Sequence, residues 1–212
     1  MSVGIKILII FNCWTLKLTV SLGSSSQPYE WKLHYAAHVI RQGGVIAHPT
    51  EAVWGLACDP FNPAAIAKLL SLKHRPVSKG LILISGMTEH FEPLLQVLSK
   101  ELRNRFFAAQ NHPTTWLVPD IENQVPRSVK GQHESIALRV VSHPVLVDLT
   151  RLLGHPIVSS SANPAGMAPA TSTLRVHQYF TRQLDYILPA ELGGYSRPSI
   201  IRDLQTTHTV RG

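Results

Sequence analysis

The chain has 212 residues, of which 44% are hydrophobic and 16% charged, and its formal net charge at pH 7 is +7. This composition excludes a disordered chain, and the two cysteines, Cys13 and Cys58, exclude a disulfide scaffold or a cysteine-based zinc finger. A chain of this length can bury a full core, and its positive charge favours anionic partners such as nucleotides, phosphate or RNA.

The first 27 residues differ from the rest of the chain. They contain no acid, and their short apolar run, residues 7–11, is interrupted by Asn12. A secretory signal needs a longer apolar run and a cleavage site of small residues. We therefore treat residues 1–27 as an N-terminal extension that is disordered or non-native, with a signal peptide as the alternative. A single domain is expected over residues 28–212.

Helices and strands alternate along this domain. Apolar residues at helical spacing predict helices, and short apolar runs between turn residues predict strands. Asn62 and Pro63 have the residue types of a helix N-cap and first turn, and Gly154 that of a helix end. In chain order, the predicted helices cover 31–40, 64–72, 99–110, 144–153 and 172–180, and the predicted strands cover 45–47, 81–84, 115–118, 136–141, 156–159, 186–188 and 200–201.

This alternation predicts an α/β domain in which some strands pair antiparallel. In the helix over 99–110, we expect Leu102, Phe106 and Phe107 to face the core. The sequence contains no phosphate-binding loop, dinucleotide fingerprint, nucleophile elbow or zinc-protease motif. Any nucleotide would therefore be held without the common loops, and no residue is predicted to bind a metal directly.

A run of cations follows the second predicted helix. Lys68, Lys73, Arg75 and Lys79 lie in the stretch 61–88, which contains no Asp or Glu and so offers them no local partner. Arginine presents a planar fork to phosphate oxygens, and lysine presents a point charge. The sequence leaves two interpretations open, a solvated basic face and an anion-binding site.

Hydroxyl and amide side chains follow the predicted strand 156–159. Ser159, Ser160, Ser161 and Asn163 come at the C-terminal end of that strand, where ligands bind in α/β sheets. A turn capped by Asn163 is the alternative interpretation.

Two further features lie at or near predicted strands. Thr50 and Glu51 follow the strand 45–47 at a sharp turn. Arg139 lies within the apolar strand 136–141, where a buried guanidinium needs an anionic or hydrogen-bonding partner. That partner is either a structural carboxylate or the carboxylate of a ligand.

Taken in order, these features resemble the YrdC family, and in particular its short, single-domain bacterial members. The resemblance covers about residues 28–212, and it departs from the family pattern at 111–115, where Asn-His replaces the usual Pro-Gly before Pro113. The segments that carry it are 48–56 (HPTEAVWGL), 73–76 (KHRP), 135–140 (SIALRV), 143–144 (HP), 159–166 (SSSANPAG), 193–194 (GG) and 198–203 (PSIIRD).

The resemblance implies an α/β fold with an open, twisted mixed sheet and flanking helices around a large basic cavity. It implies a nucleotidyltransferase that forms threonylcarbamoyl-AMP and pyrophosphate from ATP, L-threonine and bicarbonate, for the threonylcarbamoyl-adenosine modification of tRNA. Mg²⁺ would enter with ATP. The implied partners include tRNA and the downstream threonylcarbamoyl-transfer proteins. No apolar run is long enough to span a membrane, and we expect a cytoplasmic protein.

The resemblance also assigns roles to individual residues. The family's K-x-R and S-x-N motifs map onto Lys73 and Arg75 and onto Ser161 and Asn163, which makes these four the expected catalytic residues. Thr50 and Arg139 would bind threonine. The expected ATP-binding residues are Lys73, Arg75, Lys79, Thr115, Ser159, Ser161 and Asn163.

Two other classes of function remain open at this point. A basic cavity also suits a non-catalytic RNA-binding module, which would bind RNA in a salt-sensitive way without turning over ATP. A carbamoyl-transfer domain of a maturation enzyme is the other class, although such domains belong to much longer chains.

Overall fold

The computed structural model describes residues 27–195 and 198–211. The predicted N-terminal extension, residues 1–27, lies outside the described residues except for Gln27, which begins the first helix. In the described part of the chain, no helix is both long and apolar enough to cross a membrane.

Most helices form where capping residues and apolar spacing predict them. The Asn62 side chain accepts hydrogen bonds from the N–H groups of Ala64 and Ala65 at 3.0 and 3.1 Å, as an N-cap does. Gly154 ends its helix in the left-handed conformation, with φ of 82°. The helices are α1 (Gln27–Arg41), α2 (Pro63–Leu72), α3 (Glu92–Leu95), α4 (Lys100–Phe107), α5 (Arg127–Lys130), α6 (Pro144–Leu153) and α7 (Thr173–Phe180), with 3₁₀ turns at Val77–Lys79 and Thr88–Phe91.

The described residues form one nine-stranded sheet in the order β7-β1-β2-β6-β3-β5-β4-β8-β9. Three neighbouring pairs are parallel (β1/β7, β3/β5 and β4/β8) and the other five are antiparallel, so the predicted open mixed sheet is confirmed. The strands are β1 (Ile46–Pro49), β2 (Trp54–Cys58), β3 (Ile82–Ser85), β4 (Thr114–Pro119), β5 (Ser135–Val140), β6 (Ile157–Ser161), β7 (Tyr186–Ile187), β8 (Ile200–Asp203) and β9 (Thr209–Arg211).

Two strands were missed by the sequence analysis, and two expectations about the helix over 99–110 are wrong. β2 and β9 were not predicted, because Gly55 interrupts the apolar run of β2 and β9 has only three residues, too few to show a pattern. The helix predicted over 99–110 ends at Phe107, since Ala108 is already extended. Phe106 is buried as expected, but Phe107 leaves 37% of its surface exposed and packs edge-on against Phe106.

Helices cover the two faces of the sheet unequally. On one face, α2 and α7 pack over the larger part of the core. On the other face, α1 and α6 pack against Ile84 and Ile157. Ile82 and Ser159 lie two residues further along the same face of these strands, and both line a cavity that Ile84 also borders. The cavity therefore occupies the part of this face that α1 and α6 leave uncovered.

Candidate functional site

The cavity has a volume of about 330 Å³ and brings together segments that are distant in sequence. It is bounded by the β1–β2 turn, the loop after α2, the ends of β3, β5 and β6, and the C-terminal strands. Of the predicted site residues, Lys73, Thr115 and Asn163 do not line it. Those that do are Thr50, Arg75, Lys79, Arg139, Ser159 and Ser161.

The β1–β2 turn is fixed by the side chain of Thr50. Its hydroxyl donates to the carbonyl of Val53 at 2.7 Å, and it also lies 3.4 Å from the N–H groups of Ala52 and Val53, from which it accepts. This turn orders the backbone so that the next residue, Glu51, is buried with only 3% of its surface exposed. The turn therefore supplies a hydroxyl to the cavity and a carboxylate to the wall behind it.

Glu51 forms a buried ion pair with Arg139 of β5, and we call these two residues the paired end of the cavity. The other oxygen of Glu51 accepts the N–H of Ser142 at 3.0 Å. Burial alone would raise the pKa of Glu51, but Arg139 and the Ser142 N–H hold it below its usual value. The partner that the sequence left undecided is thus a protein carboxylate. Nothing in the described residues hydrogen-bonds to the buried Nε of Arg139.

The loop after α2 places Arg75 on the cavity wall. Its guanidinium donates to the carbonyl of Gly80 through Nε and Nη2, at 3.1 and 2.8 Å, and to the carbonyl of Lys79 at 3.1 Å. Burial, and then the positive charge of Arg211, lowers the pKa of Arg75. Within 27–195 and 198–211, no carboxylate forms an ion pair with Arg75, Lys79 or Arg211. We call these three residues the cationic end of the cavity.

Two other cations of the same run have different surroundings. Lys68 has a partner after all, because its ammonium is 2.6 Å from Asp185, 117 residues away. Lys73 is buried, and its Nζ donates to the carbonyls of Ser161 and Asn163, the latter at 2.9 Å. Burial and the nearby Arg75 lower the pKa of Lys73 to about 8. Lys73 therefore holds, from outside the cavity, the end of β6 and the turn after it, residues 159–166, which we call the serine-rich loop.

Asn163 and Thr115 do not line the cavity, but each hydrogen-bonds to residues next to it or in its wall. The Asn163 amide donates to the carbonyls of Pro164 and Met167, at 3.0 and 2.7 Å, which closes the turn after β6. The Thr115 hydroxyl is fully buried and lies 2.9 Å from the hydroxyl of Ser199, which does line the cavity. The sequence analysis expected both side chains in the site, and the structure places them next to the cavity but not on its wall.

Several lining residues were missed by the sequence reasoning, among them Arg211, Lys130 and Ser199. Arg211 lies on the three-residue strand β9, which carries no recognisable pattern. Lys130 is buried against Asp120 and Asn123, at 2.7 and 2.8 Å, so its charge is already neutralised. Among the described residues, no three His, Cys, Asp or Glu side chains are grouped as metal ligands.

Comparison with known proteins gives a family match and close relatives. The model of the Sua5/YciO/YrdC family, described as "Telomere recombination", matches residues 38–211. A protein of Stutzerimonas stutzeri named threonylcarbamoyl-AMP synthase is 48% identical over 182 residues, which are 86% of this chain and 97% of that protein. Its namesake in Pseudomonas aeruginosa is 49% identical over 176 residues, or 83% and 94% of the two chains.

Solved structures give the same result. Sua5 of P. abyssi, in a crystal structure with L-threonine, is 30% identical and superposes with a TM-score of 0.73. The match covers 82% of this chain and 51% of that one, so this chain spans about half the length of that Sua5.

Proposed function

Because the chain belongs to the Sua5/YciO/YrdC family, we propose that it is a threonylcarbamoyl-AMP synthase, a nucleotidyltransferase that uses ATP, L-threonine and bicarbonate. The observation that carries the proposal is the 48% identity to the S. stutzeri protein of that name over 97% of its length. The product would serve the threonylcarbamoyl-adenosine modification of tRNA. We accordingly propose a cytoplasmic location, with tRNA and the downstream transfer proteins as partners.

The proposed reaction has two steps. Bicarbonate loses hydroxide to give CO₂, which the amino nitrogen of threonine attacks. The proton that the nitrogen loses combines with the hydroxide to give water, and an N-carboxylate results. An oxygen of that carboxylate then attacks the α-phosphorus of ATP. The bond from this phosphorus to the bridging oxygen breaks, and pyrophosphate leaves. Positioning and charge stabilisation dominate such phosphoryl-type transfers, which agrees with a site that has no nucleophile motif.

The two ends of the cavity suit the two substrates. Arg75, Lys79 and Arg211 at the cationic end have no protein anion in the described residues and would bind the ATP phosphates. At the paired end, Arg139 and Thr50 line the same wall of the cavity, where they would face threonine. Dividing the substrates in this way brings the threonine amine between the two ends, where the acyl phosphate bond must form.

The serine-rich loop would close the remaining side of the site. Ser159 and Ser161 line the cavity, while Lys73 and Asn163 bind the loop's carbonyls. We therefore propose that Lys73 and Asn163 support catalysis by fixing this loop. Thr115 would act in a similar way on the ATP side, through Ser199.

Mg²⁺ is best understood here as part of the MgATP substrate. Both oxygens of Glu51, the carboxylate of the paired end, are already occupied by Arg139 and Ser142. The described residues thus offer no carboxylate cage for a resident ion, and Mg²⁺ commonly binds mainly through substrate phosphates and water.

Pyrophosphate release tests the proposal. The purified chain is incubated with MgATP, and threonine and bicarbonate are omitted in turn; we expect release only when both are present. We further expect the order threonine, serine, 2-aminobutyrate. A site that bonds a substrate hydroxyl can reject the analogue lacking it by up to ~10⁴-fold, whereas loss of a methyl group costs roughly 1–3 kcal/mol.

Two results would contradict the proposal. Release without any amino acid would indicate a plain ATP pyrophosphohydrolase. The complete absence of release, together with salt-sensitive binding of RNA, would favour the RNA-binding module. Equal rates with threonine and 2-aminobutyrate would disprove only the recognition of the hydroxyl.

A further inference from the structure

A buried histidine that the proposed mechanism does not use contacts the cavity wall from behind. His48 of β1 has no exposed surface. Its Nε2 lies 3.3 Å from the hydroxyl oxygen of Ser159, which lines the cavity. Its Nδ1 lies 3.0 Å from the carbonyl oxygen of Pro49. The imidazole thus connects a backbone carbonyl on one side with a cavity hydroxyl on the other.

A glycine makes this contact possible. β2 separates His48 on β1 from Ser159 on β6, and Gly55 of β2 is the residue paired with His48. A Cβ at Gly55 would lie 2.7 Å from Cε1 and 2.8 Å from Nε2 of His48, and 3.2 Å from the Ser159 oxygen. No residue with a side chain fits there without moving the ring. Because Gly55 has no side chain, the His48 ring can cross β2 at this position and contact Ser159.

The partners of the imidazole determine which way the hydrogen bonds run. A carbonyl oxygen only accepts, so the Nδ1 that faces Pro49 must carry a hydrogen. Burial lowers the pKa of His48 to about 4, so the ring is neutral at pH 7 and has a single N–H. Nε2 is then an acceptor, and the hydroxyl of Ser159 must donate to it. With its only hydrogen used, this hydroxyl presents lone pairs to the cavity.

We infer that His48 is a positioning residue that fixes Ser159 as a hydrogen-bond acceptor, so that Ser159 binds an N–H or O–H group of the ligand and not a phosphate oxygen. The identity of that ligand rests on the proposed function. In the proposed reaction, such donors are the amino and hydroxyl groups of threonine on one side, and the ribose hydroxyls and adenine amino group of ATP on the other. Phosphate and carboxylate oxygens, which only accept, are excluded from this position.

The tautomer of His48 can be observed without any substrate. Long-range ¹H–¹⁵N spectra of the ¹⁵N-labelled chain at pH 7 separate protonated from unprotonated ring nitrogens, and His48→Phe identifies the signals by their loss. We expect Nδ1 to be protonated and Nε2 bare. A ring protonated at Nε2, or at both nitrogens, would overturn the inference. Since no turnover is needed, this result stands or falls separately from the proposed enzyme activity.

Kinetics of the variants then test the role of His48 and identify the donor. Ser159→Ala should raise one KM about three- to tenfold, the usual loss for one hydrogen bond. A rise in the KM for threonine assigns the donor to the amino acid, and a rise in the KM for ATP assigns it to the nucleoside. His48→Phe should raise the same KM, but add nothing in the Ser159→Ala background, because His48 acts through Ser159. An equal effect of His48→Phe in both backgrounds would show a merely structural role.

The chain contains a matched control pair. His90 Nδ1 lies 2.8 Å from the hydroxyl of Ser85 on β3, and neither residue lines the cavity. His90→Phe should leave both KM values within twofold of the original. If His48→Phe does not fold, the Ser159→Ala kinetics still decide the inference. No change in either KM with Ser159→Ala would refute it.

Discussion

The arginines at the two ends of the cavity have different kinds of partner. At the paired end, Arg139 is bound to a buried carboxylate of the protein, Glu51. At the cationic end, the partners of Arg75 among the described residues are carbonyl oxygens of its own loop, and a second guanidinium, Arg211, is nearby. Both arginines line the same cavity, so the difference lies in what neutralises them.

This difference means that the paired end contributes mainly to the stability of the fold and the cationic end mainly to ligand binding. A carbonyl dipole satisfies an N–H donor but does not cancel a charge, and burial strengthens the repulsion between like charges. The cationic end is therefore complete only when an anion enters it, whereas the paired end is already neutral in the absence of ligand. We expect substitutions at the paired end to lower stability, and those at the cationic end to lower activity.

The largest effect is expected from Glu51→Gln. The amide oxygen can still accept the Ser142 N–H, but Arg139 is left as a buried charge without a counterion. Removing one partner of a buried ion pair typically costs about 3–5 kcal/mol in the free energy of unfolding, which urea denaturation measures.

The exposed pair of Lys68 and Asp185 provides the control for Glu51→Gln. Asp185→Asn should cost no more than about 1 kcal/mol, since exposed ion pairs contribute little. A similarly small loss for Glu51→Gln would remove the distinction between the two ends.

Arg75→Ala should act on activity instead. Loss of one electrostatic contact to the transition state typically lowers the rate about 10²–10³-fold. Stability should stay within about 1 kcal/mol of the original, because relief of the repulsion from Arg211 offsets the lost bonds to Gly80 and Lys79. Steady-state pyrophosphate release and urea denaturation measure the two quantities.

Two further substitutions make the Arg75→Ala result specific. Arg75→Lys keeps the charge but loses the planar fork, so we expect partial activity at most. Arg151→Ala on the exposed face of α6 should change neither quantity. Turnover by Arg75→Ala close to that of the original chain would refute its role at the cationic end.

Local signals predicted much of the fold, while distant contacts decided what could not be predicted. The N-cap at Asn62 and the helix end at Gly154 depend on neighbouring residues, and both were predicted correctly. β2 escaped prediction because Gly55 is small to make room for His48, a requirement that comes from another strand. Phe107, expected to face the core, is instead the last residue of its helix and is partly exposed.

The candidate site shows the same division. A buried Arg139 without a local partner could be anticipated from its apolar strand, but Glu51 lies 88 residues away. Lys73 and Arg75 look alike in the sequence, yet only Arg75 lines the cavity. Arg211 had no signal, because β9 is a short exposed strand recognised only by its pairing with β8.

The smallest effect concerns Lys73, a cation whose partners are carbonyl oxygens, and it depends on pH. The pKa of Lys73 is about 8 in the folded chain and near the usual 10.5 in the unfolded one. Below pH 8 both states hold the proton, and the folded state bears the cost of a buried charge. Between about pH 8 and 10.5 the folded state releases its proton first, so stability should rise with pH by at most about 1.4 kcal/mol per unit.

Lys73→Met cannot titrate and lacks this contribution. The raised pKa values of Cys58 and Tyr29, both about 12, affect the two proteins equally and cancel in the difference. Urea denaturation from pH 7 to 10 should therefore show the original chain gaining stability relative to Lys73→Met above pH 8. A difference that stays flat over this range would mean that folding does not lower the pKa of Lys73.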